Sequence, residues 1–185
     1  MRTGFLIAAL ALAGCHPAAE KQAAQPADID LTNASMAQVS GLLKSNGQSA
    51  AQPGMWTAEM KILSVDVGLP AGADRDAQIA AIKSQEASGS KCQAAGDAKP
   101  VDLASIEKAA GTCTFPHYVA KGGKVDIAMR CTQPSSGTTE VNIRGTSTTT
   151  AFDVVVDQQS GTRGQPDYLA VKLRAKGSRT GACAG

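Results

Sequence analysis

Five cysteines and two histidines hold most of the reactive chemistry open to this chain. Cys92, Cys113, Cys131 and Cys183 are spread widely, and four such thiols offer either a metal site or two disulfides. Structural zinc sites are built from closely spaced ligand pairs. No C-x-x-C pair occurs here, nor a C-x-x-C-H for haem attachment, so disulfides are the expected chemistry and no metal is expected. His16 sits beside Cys15, which leaves His117 as the imidazole that could act as a general base. Flanked by Pro116 and Tyr118, it reads as a structural or surface residue. Asp66, Asp74 and Asp76 lack the ligand spacing of a calcium loop, and Asp74 is better read as a helix cap. With no G-x-S-x-G, H-E-x-x-H or P-loop spacing, neither a catalytic residue nor a cofactor is expected. A hydrolase working through carboxylates alone is the one enzymatic reading left.

Cys15 has a different context. Met1-Arg2 precedes the apolar run Phe5-Leu6-Ile7-Ala8-Ala9-Leu10-Ala11-Leu12, which is too short to cross a bilayer as a lasting helix. The run closes on Leu12-Ala13-Gly14-Cys15, which resembles the bacterial lipobox: small residues fit the signal peptidase and the thiol receives a diacylglyceryl group. Residues 1–14 therefore read as a lipoprotein signal peptide, against the plainer reading of an ordinary secretory leader. Each buried acyl methylene contributes about 0.8 kcal/mol, so palmitate-type chains on Cys15 would hold the protein on a membrane without a protein span. His16 stands where an aspartate would resemble an inner-membrane retention signal, so the periplasmic side of the outer membrane is the expected location. From His16 to Ala27 no large apolar residue is present to offset the entropy of ordering, and residues 15–30 read as anchor and tether. Residues 31–185 are then a single domain.

Export places the other four cysteines in an oxidising compartment. Three pairings are possible, and a hairpin favours one of them. Centred on Gly122, a symmetric register sets Val119 opposite Val125, His117 opposite Ile127, Phe115 opposite Met129 and Cys113 opposite Cys131. Directly opposed Cβ atoms lie about 4.5–5.5 Å apart, near disulfide reach. Cys113 to Cys131 is the preferred bridge, and elimination leaves Cys92 with Cys183.

The elements that must position these cysteines follow from hydrophobic period. Asn33 or Ser35 opens a short helix, Gln38 completes a capping box on Ser35, Met36, Val39 and Leu43 share one face, and Asn46-Gly47 stop it. Trp56, Ala58, Met60 and Ile62 alternate with Thr57, Glu59 and Lys61, the mark of a half-buried strand. A second helix is predicted from Asp74 through Ile79 and Ile82 to about Ala87, and a third from Asp102 through Leu103 and Ile106 to Gly111. From Cys113 onward the chain reads as strand after strand: Val125, Ile127, Met129 and Cys131; Val141 and Ile143; Phe152, Val154 and Val156; Leu169, Val171 and Leu173. Short links between them imply an antiparallel meander. The fold class is mainly β (α+β): a curved or half-barrel meander with two or three short helices and two disulfides.

Pro53-Gly54-Met55-Trp56 opening a strand, then Cys92, Cys113, the Gly122-Gly123 turn, Cys131 and the closing Arg179-Thr180-Gly181-Ala182-Cys183, form an order of features. That order resembles the proteobacterial domain-of-unknown-function 3617 family, over residues 31 to 183. The resemblance implies a periplasmic, disulfide-containing β-rich domain and carries over no catalytic residue.

Formal charge is +2 with the basic residues scattered, and only 3% of residues are aromatic. Three Phe, two Tyr and one Trp are too few rings for a base-stacking or sugar-stacking platform, and the cations are not massed, so no nucleic-acid partner is expected. The expected role is a non-enzymatic envelope protein that meets the membrane through its lipid and either binds an envelope partner or supports the cell surface. The alternative is a carrier or sensor of a small apolar ligand in a cleft lined by Trp56, although a lone tryptophan on an alternating strand more often fills a core.

Overall fold

The computed structural model describes residues 28–45, 51–94, 111–133 and 137–183. The third predicted helix, the leader, Cys15 and the tether up to residue 27 lie outside them. In chain order the elements are β1 (Ile29–Ser35), α1 (Met36–Ser45), β2 (Gly54–Val67), α2 (Ala73–Lys83), β3 (Ala87–Gln93), β4 (Thr112–Lys121), β5 (Lys124–Gln133), β6 (Gly137–Ser147), β7 (Ala151–Ser160) and β8 (Leu169–Gly181).

The eight strands form one open antiparallel sheet in the order β1-β4-β5-β6-β7-β8-β2-β3. Strands β4 to β8 are a meander, as their short links require. Early strands complete it at both sides: β1 docks on β4, while β2 docks on β8 and carries β3 at the outer edge. Strict alternation gives the sheet one apolar face, here called inner, and one charged face, here called outer. On the inner face Ile127 pairs with Ile143, Ile143 with Val156 and Val156 with Leu173.

Helix α1 closes one end of the inner face. Met36, Val39 and Leu43, spaced to share one stripe, are its buried residues and pack with Ile29, Ala34, Cys113, Phe115, Tyr118 and Cys131. Its start is the capping box: Ser35 N–H donates to Gln38 Oε1 at 2.8 Å, and Gln38 N–H donates to Ser35 Oγ at 3.3 Å. Ser35→Ala should lower stability by about 1 kcal/mol, read as a lower urea midpoint at unchanged slope.

Four expectations change. The segment before α1 is a strand, because Ile29, Leu31 and Ala34 add an inward-facing edge to β4, and Asn33 lies within it at φ 51° instead of capping the helix. Asp74 does not cap α2. Gly72 holds that position without a side-chain bond, and Asp74 and Asp76 lie in the first turn, where the helix dipole favours acids. Helix α2 ends at Lys83, and residues 87–93 turn back as β3 against β2. A run of Ala, Ser and Gly has no alternation to reveal such a strand.

The hairpin register is the fourth change. The turn is the two residues Gly122-Gly123, at φ 56° and 77°, so Tyr118 faces Ile127 and Val119 faces Asp126, one residue from the symmetric expectation. A bulge between Thr114 and His117 then absorbs one residue on β4 and restores Cys113 opposite Cys131. Phe115 and Cys113 stay inside, but Tyr118 takes the position opposite Ile127 expected for His117, and Ala120 the position opposite Val125 expected for Val119.

Candidate functional site

The four cysteines form the two expected bridges, Cys113–Cys131 and Cys92–Cys183. They do different work. Cys113 and Cys131 are both nearly inaccessible, at 2% and 1%, and sit in the core under α1. Cys92, on edge strand β3, ties that strand to the end of the chain beyond β8 across 91 residues of sequence.

A compact corner surrounds the second bridge. Pro53 and Gly54 enter β2 where Arg179 and Gly181 leave β8. Arg179 Nε donates to the Pro53 carbonyl at 2.7 Å, and Thr180 Oγ1 donates to the Met55 carbonyl at 3.2 Å. Gly54 is buried at φ 145°, and a Cβ there would stand 2.3 Å from the Gly181 carbonyl oxygen. Only glycine allows that approach.

Trp56 begins the inner face beside this corner. It is 8% exposed, its indole N–H donates to the Gln52 carbonyl at 2.8 Å, and its ring stacks on Phe152 with centroids 6.4 Å apart. Gly177 pairs with Phe152, and a Cβ on it would fall 2.6 Å from the Phe152 ring. Trp56 is thus a buried wall at one end of the inner face.

A family model described as a protein of unknown function (DUF3617) matches residues 51–183. The chain belongs to that family. No curated protein and no solved structure matches it. The family match opens just before Pro53-Gly54-Met55-Trp56 and closes on Cys183, so it spans the sheet from β2 to the second bridge. The first strand and α1, which cap the core, lie before the matched span.

Beyond the reach of α1, the inner face continues over β6, β7, β8 and β2. Val141, Ile143, Val154, Val156, Val171, Leu173, Met60 and Ile62 are all half-buried, as is Val155 on the charged outer face. A further hydrophobic, Leu63, is 51% exposed where a bulge pushes it out of β2.

The outer face carries cross-strand ion pairs. Glu59 lies between Lys176 and Lys61, at 2.7 and 2.8 Å, and those partners, Lys176 first, hold its carboxyl at about 2. Arg174 grips Asp153 through Nε and Nη2, lowering that carboxyl too. His117 Nε2 stands 3.0 Å from Asp126 Oδ1, with Arg144 on the same oxygen at 3.3 Å, and Asp126 is lowered chiefly by the histidine contact. His117 is thus partnered by Asp126 on the outer face, with Thr32 and Ala128 as its cross-strand neighbours. Asp66 lies on β2, apart from Asp74 and Asp76 at the start of α2. Ser88 and Lys91 have the S-x-x-K spacing of acylating serine enzymes. On the extended strand β3 that spacing points them to opposite faces.

Acid should loosen the outer face. Carboxyls more acidic in the folded than in the unfolded chain stabilise above their unfolded values, and that contribution disappears as protons are added. The urea midpoint should hold above the ordinary glutamate value of 4.5 and fall as pH is lowered toward about 2. Glu59→Gln should flatten part of that fall, and an equal slope in wild type and variant would contradict the assignment.

Proposed function

We propose that this chain is a lipid-tethered protein of the bacterial envelope that binds rather than catalyses, and that it holds a small apolar ligand against the inner face of its sheet. The single observation carrying the reading is the continuous apolar surface of Val141, Ile143, Val154, Val156, Val171 and Leu173, half-buried where α1 no longer covers it. Apolar side chains are stabilised by removal from water at roughly 25 cal/mol per Å², and a ligand laid across them gains the same term. Trp56 and Phe152 bound the surface at one end. Two disulfides support export, since paired thiols persist in oxidising compartments. Lipidation of Cys15 by the lipobox-like Leu12-Ala13-Gly14 sequence would place the domain on the periplasmic side of the outer membrane.

The test has two arms. Titration of the oxidised chain with palmitate should shift Trp56 emission and raise Tm, as expected when a ligand binds the native state alone. An unchanged spectrum and Tm would remove the ligand. Metabolic labelling with radioactive palmitate should mark the wild type and spare Cys15→Ser. An unlabelled wild type would remove the tether.

A further inference from the structure

The outer face holds a groove of about 270 Å³ that the apolar-ligand reading leaves unused. Two cross-strand rows form its floor and walls. In the first, Asp66 on β2 pairs with Ala170 on β8, Ala170 with Gln159 on β7, and Gln159 with Glu140 on β6. In the second, Ser64 pairs with Lys172, Lys172 with Asp157, and Asp157 with Asn142. The methyl group of Ala170, set among longer side chains, gives the groove its depth. Arg163 borders it from the β7–β8 connection and is held in place by Tyr168: its Nη2 donates to the phenol oxygen at 3.1 Å, and the guanidinium lies 5.4 Å from the ring centroid.

The chemistry of the lining selects a ligand class. Its charges are largely satisfied within the sheet, Glu140 by Arg130 at 2.6 Å and Asp157 by Lys172 at 3.4 Å. Carboxylates among the walls oppose a bare anion, while Lys172 and Arg163 oppose a bare cation. Among the described residues, the side chains of Ser64, Asp66, Asn142 and Gln159 have no hydrogen-bond partner. Together they offer a hydroxyl, an acceptor-only carboxylate and two amides that both donate and accept. Four convergent groups of this mixed kind match a ligand whose own groups both donate and accept at short intervals. The volume lies just under the 300–1,000 Å³ of ordinary small-ligand sites, enough for one compact ring.

From these observations we infer that the groove over Ala170 is a saccharide subsite, which binds an uncharged sugar ring through Asp66, Asn142 and Gln159, with Ser64 and Lys172 at its margin. The side chains that hold the sugar lie on the opposite face from the apolar ligand surface, with Gln158 and Val171 lining the groove between them.

Nuclear magnetic resonance of the oxidised full chain, titrated with maltotriose and with triacetylchitotriose, tests the assignment. Triglycine serves as a peptide comparison. One of the sugars should move the side-chain amide resonances of Asn142 and Gln159 and leave the Trp56 indole signal in place. Asp66→Ala and Asn142→Ala should each weaken that binding about tenfold, the usual effect of deleting one hydrogen-bonding partner, with Tm unchanged because neither side chain bonds another described residue. Ala170→Arg should fill the floor and abolish binding. Failure of both sugars to move these resonances, movement by triglycine in their place, or full affinity in the Ala170→Arg variant would overturn the subsite. Loss of palmitate binding with sugar binding retained would count against the inner-face reading alone.

Discussion

Replacing both members of the Cys92–Cys183 bridge by serine should cost the domain about 4–5 kcal/mol, because the bond closes a loop of 91 residues in the unfolded chain. Opening Cys113–Cys131, with a separation of 18, should cost about 3 kcal/mol on the same chain-entropy model. The sum is of the order of the whole net stability of a small domain, about 5–15 kcal/mol. Urea unfolding with and without dithiothreitol checks both, since the fully reduced chain should have lost most of its native population before denaturant is added. The variants should differ in kind as well as size. Cys113 and Cys131 are core residues, so serines there also bury two hydroxyls among Phe115, Tyr118 and Val39. Serines at the edge-strand bridge should free β3 and the chain end first. A reduced protein as resistant to urea as the oxidised one would show that packing alone holds this sheet.

Trp56→Ala should be the most damaging single side-chain truncation, at about 3–5 kcal/mol. The indole is buried, stacks on Phe152 and donates to the Gln52 carbonyl, so truncation leaves both a cavity and an unpaired carbonyl. Trp56→Phe separates the two effects: the ring contact survives and the hydrogen bond does not, for a loss of about 1–2 kcal/mol. Urea midpoints give the stabilities. A palmitate-induced rise in Tm, read without the indole, shows whether the wall contributes to binding. A near-neutral Trp56→Ala would mean that Phe152 and Gly177 collapse into the vacated space.

These effects stand or fall with features of unequal visibility in the sequence. The meander from β4 to β8 was legible because Val125-Ile127-Met129-Cys131 and its successors alternate without interruption, and a one-residue slip would turn the whole set outward. Helix α1 was legible down to its capping box, since Ser35 and Gln38 act within one turn of each other. Strand β3 was not, because Ala87-Ser88-Gly89-Ser90 owes its extended form to β2 alongside it. The candidate sites divide in the same way. Trp56 was recognisable as a residue of the apolar face, whereas the Ala170 groove is assembled from four strands and a loop, with no local spacing to mark it.

By itself the sequence determined the periodic elements, the Gly122-Gly123 turn that folds Cys113 back toward Cys131, and through elimination the partner of Cys92. Each of these rests on short-range pattern or on counting. Only the tertiary structure decided that β1 and β2 leave their sequence neighbourhood to flank the meander, that a bulge near Pro116 resets the hairpin register, and which apolar surface α1 covers. Period and capping act over a few residues, but strand order is set by which edges and apolar faces meet once distant segments are brought together, and no local signal encodes that choice.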